Sequence, residues 1–380
     1  MKKKVLFISA ANNIHTVKWV NALCNNYEVH LITCKNHNVT VNKIDKKVKV
    51  HVLKYSAPIG YYTNAIELNR IFKKIKPDIV NVHYASGYGT LARIAKVKPI
   101  LMSVWGSDLY DFPRKNKINE TILKKNLSAS FAIASTSQNM KEEVQRLLPN
   151  LHSKIYLTPF GVDMSKFKKY KKIEKNNNEF KIGLVKGLEE KYGVSDLIVA
   201  FSKLQKKIIA GEYKLNSHKK ITLYIYGEGT LKEELQKLIE KLKLQNYVFL
   251  QGKIKHDLVP NILNEFDLFC ATSILESFGV SVIEAMACEV PVIVTDADGF
   301  KEIVENNKTG IIVPRRDTNK ISEAMFELIN NDNKRKELTK NALVEVKKKY
   351  EFKDSVKNMC IVYNEVIEEI SKTNRKGEKM

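Results

Sequence analysis

No apolar run in this 380-residue chain approaches the roughly 18 to 20 residues that a membrane-spanning helix needs, so no such helix is expected. The start, Lys2-Lys3-Lys4 followed by Val5-Leu6-Phe7-Ile8-Ser9-Ala10-Ala11, has the charge order of a secretory leader. Its apolar part is too short and runs into Asn12-Asn13, so a first buried strand is expected instead. Cysteine is scarce. Cys24, Cys34, Cys270, Cys288 and Cys360 are odd in number and show no paired spacing, which argues against a disulfide framework and for reduced thiols in a cytoplasmic protein. No period recurs along the chain, which argues against a repeat architecture.

Acidic residues are sparse in the first part. Residues 1–170 hold 28 Lys and Arg against 10 Asp and Glu, a net of +18, whereas the remainder holds 36 against 32. So uneven a division suggests that the first part meets an anionic surface or substrate. No basic segment interleaved with aromatics and no known nucleic-acid module accompanies the charge, so nucleic acid is not the expected partner. Docking on an anionic leaflet is expected instead, through Lys115, Lys117, Lys124 and Lys125 around one amphipathic helix at 118–126.

What is present describes a globular α/β protein: 44% hydrophobic and 28% charged residues, and a length that suits two domains. Short apolar runs at 5–9, 29–33, 50–54, 79–83, 100–104, 132–135 and 155–157 alternate with helical patterns. A second series, at 181–185, 221–226, 248–250, 268–271, 292–294 and 310–313, does the same. Alternation of this kind predicts doubly wound parallel sheets. The division expected is 1–165 for the first domain, 166–179 for a linker with six Lys and three Asn, and 180–353 for the second domain.

The chain is organised around Glu276-Ser277-Phe278-Gly279-Val280-Ser281-Val282-Ile283-Glu284, continuing through Ala285-Met286-Ala287 to Pro291 and Val292-Ile293-Val294. Ser277 and Gly279 are poor helix-interior residues, and a helix follows them. The run after Pro291 reads as a strand buried on both faces. The helix therefore starts near Gly279 at the carboxyl edge of a sheet, where open α/β folds bind ligands and where free N–H groups suit a phosphate. Carboxylates beside a phosphate site, here Glu276 and Glu284, fit a ligand that also carries hydroxyls. A nucleotide sugar is such a ligand.

With its flanking Ser-Phe-Gly and Glu-Ala-Met-Ala, this stretch resembles the E-x7-E signature of the retaining glycosyltransferases of family 4. That resemblance implies the GT-B fold: two Rossmann-like domains facing a central cleft, with a last helix (354–380) that returns to the first domain. It also implies a nucleotide-sugar donor, a sugar or lipid-linked hydroxyl acceptor, no cofactor and no metal.

Gly183-Leu184-Val185-Lys186-Gly187 through Lys191-Tyr192-Gly193 resembles the family's donor loop, in which two basic residues hold the leaving phosphate. Lys186 stands where arginine is usual, keeping the charge and losing the bidentate fork. Tyr192 is inserted after Lys191. The resemblance implies catalytic roles for Glu276, Lys191 and Lys186. It implies donor contacts at Glu284, Phe278, Gly279, Val280, at Gly227 in Tyr226-Gly227-Glu228-Gly229, at Gly252, and at Glu302 in Gly299-Phe300-Lys301-Glu302. On the acceptor side it implies Asn13, His83, Asp108 and Trp105, the last replacing a histidine common in the family. Asp296-Ala297-Asp298 has metal-binding spacing but leads into a turn, so no metal site is expected there.

The function expected is sugar transfer with retention, in cell-surface polysaccharide or glycolipid synthesis, at the cytoplasmic side and peripheral to the membrane. Two rivals are a GT-B nucleotide-sugar epimerase, which would need a base and acids that the motifs do not supply, and a basic nucleic-acid-binding protein.

Overall fold

The computed structural model describes residues 2–38, 44–170, 178–216 and 220–377, with side chains described to 372. They form two compact units, one of Met1–Pro159 with Ser355–Met380, the other of Phe160–Asp354.

The first unit carries the strands Lys4–Ile8 (β1), Glu28–Thr33 (β2), Lys49–Val52 (β3), Ile79–His83 (β4), Ile100–Val104 (β5), Ala132–Ser135 (β6) and Lys154–Leu157 (β7). All pair in parallel, in the order β3-β2-β1-β4-β5-β6-β7. Every residue of β4 and β5 is buried, as parallel strands covered on both faces require. Between the strands run the helices Ile14–Leu23 (α1), Gly60–Thr63 (α2), Ala65–Ile75 (α3), Gly87–Ile94 (α4), Ser107–Tyr110 (α5), Lys117–Ser128 (α6) and Gln138–Leu147 (α7).

The second unit has Glu179–Val185 (β8), Lys220–Tyr226 (β9), Val248–Gly252 (β10), Leu268–Ala271 (β11), Val292–Thr295 (β12) and Ile311–Val313 (β13). They also pair in parallel, in the order β10-β9-β8-β11-β12-β13. Its helices are Val194–Ile209 (α8), Lys232–Lys241 (α9), Val259–Glu265 (α10), Val280–Ala287 (α11), Asp298–Ile303 (α12), Thr318–Asn330 (α13) and Asp332–Lys349 (α14). Each sheet has the strand order of a doubly wound fold, and each has one switch point: β1/β4 in the first, β8/β11 in the second.

The last helix, Phe352–Gly377 (α15), lies from Ser355 onward in the first unit. There the fully buried Tyr363 accepts a hydrogen bond from Asn81 Nδ2 of β4 (2.7 Å), while Ser103 Oγ of β5 donates to Asn81 Oδ1 (2.9 Å). A polar chain this deep is tolerated because each member is partnered. All five cysteines are free thiols. Among the described residues no helix is long and apolar enough to cross a membrane.

Three expectations need correction. The segment 166–179 is not a solvated tether along its described part. Phe167 is 1% exposed against the His256 ring, Tyr170 N–H donates to Asn264 Oδ1 (2.7 Å), and Glu179 already belongs to β8; residues 171–177 lie outside the described part. Helices α2, α5, α10, α12 and α14 have no counterpart in the sequence reading. The third correction concerns α6, whose Leu123 and Leu127 are buried in the first unit's core and whose Lys124 is paired with Glu120 (2.7 Å). Ile118 is exposed and Ile122, one turn on, is half-buried, so the apolar face that α6 turns outward is narrow, while Lys117 and Lys125 stay exposed.

Candidate functional site

At the second unit's switch point the loops after β8 and β11 meet. The loop after β8 is zipped to the turn after β9: Leu188 N–H donates to the Glu228 carbonyl (3.0 Å), Leu231 N–H to the Leu188 carbonyl (3.0 Å), and Thr230 Oγ1 to Glu189 Oε2 (2.7 Å). This approach requires glycine at 227, where a Cβ would lie 1.8 Å from the Lys186 carbonyl oxygen. Gly227 thus seats the lysine loop by closeness of backbone. Its N–H donates to the carbonyl of Gly252 (2.9 Å), which ends β10.

Lys191 sits in the one-turn helix Glu190–Tyr192, and its carbonyl accepts N–H bonds from Ile274 (2.8 Å) and Leu275 (3.1 Å). The loop that carries Glu276 is therefore hung on the backbone of Lys191. The ammonium groups of Lys186 and Lys191 lie 4.4 and 5.3 Å from the Tyr192 ring centroid, so the inserted tyrosine holds both cations by its ring face.

Glu276 is 9% exposed; Oε2 takes a short ion pair from Lys186 Nζ and a hydrogen bond from Ser273 Oγ (3.3 Å). Gly279 caps α11 with φ 108°, a conformation open to glycine, and places Val280 at the first helical position. The leading N–H groups of such a helix have no intrahelical partner, and its positive dipole end faces the switch point.

Glu284 lies in the second turn of α11, 4% exposed, with Oε1 3.0 Å from His256 Nε2. His256 belongs to the one-turn helix His256–Leu258 that follows β10, and sequence reasoning missed it. The available signal was its place just beyond the carboxyl end of a strand whose last glycine had been singled out. Arg315 was missed as well. It pairs with Asp296 (3.0 Å) and donates to the Ile274 carbonyl (3.2 Å), bracing the loop of Glu276 from the side of β12 and β13. Asp298 pairs with Lys301 (2.8 Å), and among the described residues no group of three His, Cys, Asp or Glu is placed to hold a metal.

Phe278 needs correction: 3% exposed, it packs edge-on between the rings of Phe160 (5.9 Å) and Tyr350 (5.7 Å), so its side chain builds the core and cannot face a donor. Glu302 is half-buried on α12, with its carbonyl accepting from Tyr350 Oη (3.1 Å).

In the first unit the predicted residues gather at the carboxyl ends of β1, β4 and β5, but two of them are structural. Asp108 is 1% exposed and accepts three backbone N–H bonds, from Ala85 (2.9 Å), Trp105 (3.1 Å) and Gly106 (2.9 Å). Burial pushes its pKa up while those N–H groups pull it down. Its oxygens pin the loops after β4 and β5 together, in place of the acceptor hydroxyl expected there. His83 is 1% exposed, hydrogen-bonded to Ser9 Oγ (3.1 Å) and packed on Phe7 and Trp105; burial lowers its pKa to about 3, so it is a neutral core residue. Trp105, 8% exposed, meets Tyr84 edge-on at 5.1 Å. Asn13 caps α1 by accepting from His15 N–H (2.8 Å) and donates to Tyr84 Oη (3.0 Å).

Comparison with known proteins bears on the two units as folds and families. The family model for glycosyl transferases group 1 matches residues 165–344, and that for glycosyl transferase 4-like proteins matches residues 4–137. An uncharacterized glycosyltransferase of Methanocaldococcus jannaschii is 28% identical over 345 residues, 89% of this chain and 90% of its own. A protein named capsular polysaccharide biosynthesis glycosyltransferase, from Staphylococcus aureus, is 25% identical over 370 residues, 90% of this chain and 91% of its own. Among solved structures, sucrose-phosphate synthase from Thermosynechococcus elongatus superposes with a TM-score of 0.81 at 16% identity, over 96% of this chain and 99% of its own, a likeness of fold. Two parallel-sheet units, each matched in its own part of the chain by a glycosyltransferase model, make this protein a glycosyltransferase of the GT-B fold.

Proposed function

We propose that the chain is a retaining glycosyltransferase that moves a sugar from a nucleotide-sugar donor to a hydroxyl of a sugar or lipid-linked acceptor in the synthesis of a surface polysaccharide or glycolipid. The observation that carries this reading is the meeting of Lys186 and Glu276 beside the start of α11, at the switch point between β8 and β11. A cation for phosphate, a carboxylate for sugar hydroxyls and a helix N-terminus there supply the groups that such a donor needs.

In this reading the diphosphate lies against the N–H groups of Gly279 and Val280, with Lys186 and Lys191 on its oxygens. Lys186 then exchanges Glu276 for phosphate, and Glu276 turns to hydroxyls of the transferred sugar. Glu284, oriented by His256, accepts from the ribose hydroxyls. The bond between the anomeric carbon and the phosphate oxygen breaks as the acceptor oxygen bonds on the same face, and the acceptor proton passes to the leaving phosphate. The protein positions the reactants and stabilises charge on the leaving group, with no cofactor and no divalent metal.

The acceptor's carrier enters through the surface of the first unit. Ile59, Tyr62 and Ile66, spaced by three and four residues along α2 and α3, are 69%, 54% and 69% exposed, and exposed Arg70, Lys73 and Lys74 follow on α3. An apolar stripe beside cations suits the inner face of an anionic membrane.

A screen of nucleotide sugars for protection against thermal unfolding identifies the donor, because a ligand of the folded state raises Tm. Nuclear magnetic resonance of the product then reads its anomeric configuration. Retention supports the reading; an inverted linkage, or release of an epimerised sugar with no transfer, contradicts it.

A further inference from the structure

The first unit has a cavity of its own at the switch point between β1 and β4, with a volume of about 450 Å³, within the ~300–1,000 Å³ usual for small-molecule sites. Asn12 and Asn13 line it from the loop after β1, His37 from the loop after β2, Tyr84 and Tyr88 from beyond β4, and Tyr61 from α2. None of the residues lining it is Lys, Arg, Asp or Glu, although the part of the chain that builds it carries +18.

The walls are held in place before any ligand arrives. Tyr88 Oη is hydrogen-bonded to His37 Nδ1 (2.9 Å) and accepts from Cys34 N–H (3.2 Å). Tyr61 meets the Tyr88 ring edge-on at 5.2 Å and lies over Gly87, where a Cβ would come within 2.2 Å of its ring. Tyr84 takes a left-handed backbone conformation, φ 68°, which costs energy in a residue with a side chain. That conformation and the bond from Asn13 Nδ2 fix its hydroxyl over the loop after β1.

On the proposed glycosyltransferase reading, we infer that this cavity binds an uncharged, polyhydroxylated group, a sugar ring of the acceptor, and discriminates against the same ring bearing a phosphate or carboxylate. Amide and phenol groups both donate and accept, which matches sugar hydroxyls, and aromatic rings cover the apolar C–H faces between them. An anion would be desolvated here with no cation among the lining residues to partner it. Burial holds the His37 pKa below its ordinary value and pushes that of Tyr61 up to about 12, so both are neutral at physiological pH. The basic side chains of this unit are therefore left for the acceptor's carrier, and the cavity for its neutral sugar.

The test uses methyl glycosides of glucose, galactose, mannose and N-acetylglucosamine, each beside its 6-phosphate and, for the hexoses, its uronic acid, read by saturation-transfer magnetic resonance on the full chain. At least one neutral glycoside binds, and its charged forms bind about tenfold more weakly, the equivalent of one unpaired buried group. Tyr61→Ala and Asn13→Ala each weaken the neutral ligand by a similar factor, and Tyr61→Phe keeps it. Equal or tighter binding of the charged forms, indifference to Tyr61→Ala, or no neutral glycoside bound overturns the inference. Titration of the same samples with nucleotide sugars reports on the donor site by itself, so failure of the cavity and failure of the glycosyltransferase reading are told apart.

Discussion

Lys186 and Glu276, ninety residues apart, are joined in an ion pair because β8 and β11 are neighbours in the sheet. Their side chains are 14% and 8% exposed, so the pair is largely desolvated. Breaking such a pair from one side leaves an uncompensated charge and costs about 3–5 kcal/mol, whereas replacing both ends by apolar groups is often neutral. Lys186→Met alone should lower stability in urea denaturation by that order, and Lys186→Met with Glu276→Leu should recover most of it. Both proteins should lose sugar transfer. A single variant as stable as the parent would show that the pair is not closed in the free protein.

Lys191 separates backbone from side-chain function. Its carbonyl carries the loop of Glu276, and Lys191→Ala keeps that carbonyl while removing the charge. On the proposed mechanism charge on the departing phosphate grows in the transition state, so this variant should lose turnover by about 10²-fold or more and donor affinity by much less. Turnover in excess chelator should match turnover without it. Activity abolished by chelator and restored by magnesium or manganese would contradict the assignment of charge stabilisation to the lysines.

His83 makes the first unit sensitive to acid. Its pKa is about 3 in the folded protein and near 6.5 in an unfolded chain, so between those values the unfolded chain binds the extra proton. Its neutral form stabilises fully above pH ~6.5, and that contribution is lost as pH falls toward 3. His83→Gln should be less stable than the parent at pH 7.5, and the gap should narrow by up to about 1.4 kcal/mol per pH unit below 6.5. Parallel stability profiles for the two proteins would show that burial does not control this histidine.

The exposed stripe on α2 and α3 gives a membrane test. Ile59→Ser with Ile66→Ser should reduce flotation with anionic liposomes, and high salt should reduce it further by screening the cations around the stripe. Equal recovery with neutral vesicles, or no effect of the two serines, would remove the stripe from the account of how the acceptor is reached.

The sheets were legible in the sequence because parallel strands buried on both faces read as short apolar runs; the runs at 79–83, 100–104, 132–135 and 268–271 coincide with β4, β5, β6 and β11. Helix α14 was not, since its buried residues Leu338, Ala342 and Val346 recur singly every fourth position among lysines. The glutamates of the candidate site stood out by spacing and Lys186 by its loop, but their pairing did not, and His256 was not singled out at all. Lys186 reaches Glu276 through strand order, and His256 reaches Glu284 across 28 residues, neither of which leaves a local pattern. Asp108 was misread for a related reason. Its partners are backbone N–H groups, which any sequence supplies.

The division of labour between the two glutamates is open to direct measurement by calorimetry with a nucleoside diphosphate and with the matching nucleotide sugar. On the proposed reading each carboxylate accepts hydroxyls of the donor, a contact worth roughly 1.5–3 kcal/mol. Glu284→Ala should therefore weaken both ligands by about ten- to a hundredfold, whereas Glu276→Ala should weaken the nucleotide sugar and spare the free diphosphate. Equal losses of diphosphate affinity in the two variants, or none in Glu284→Ala, would contradict a donor site built on this pair.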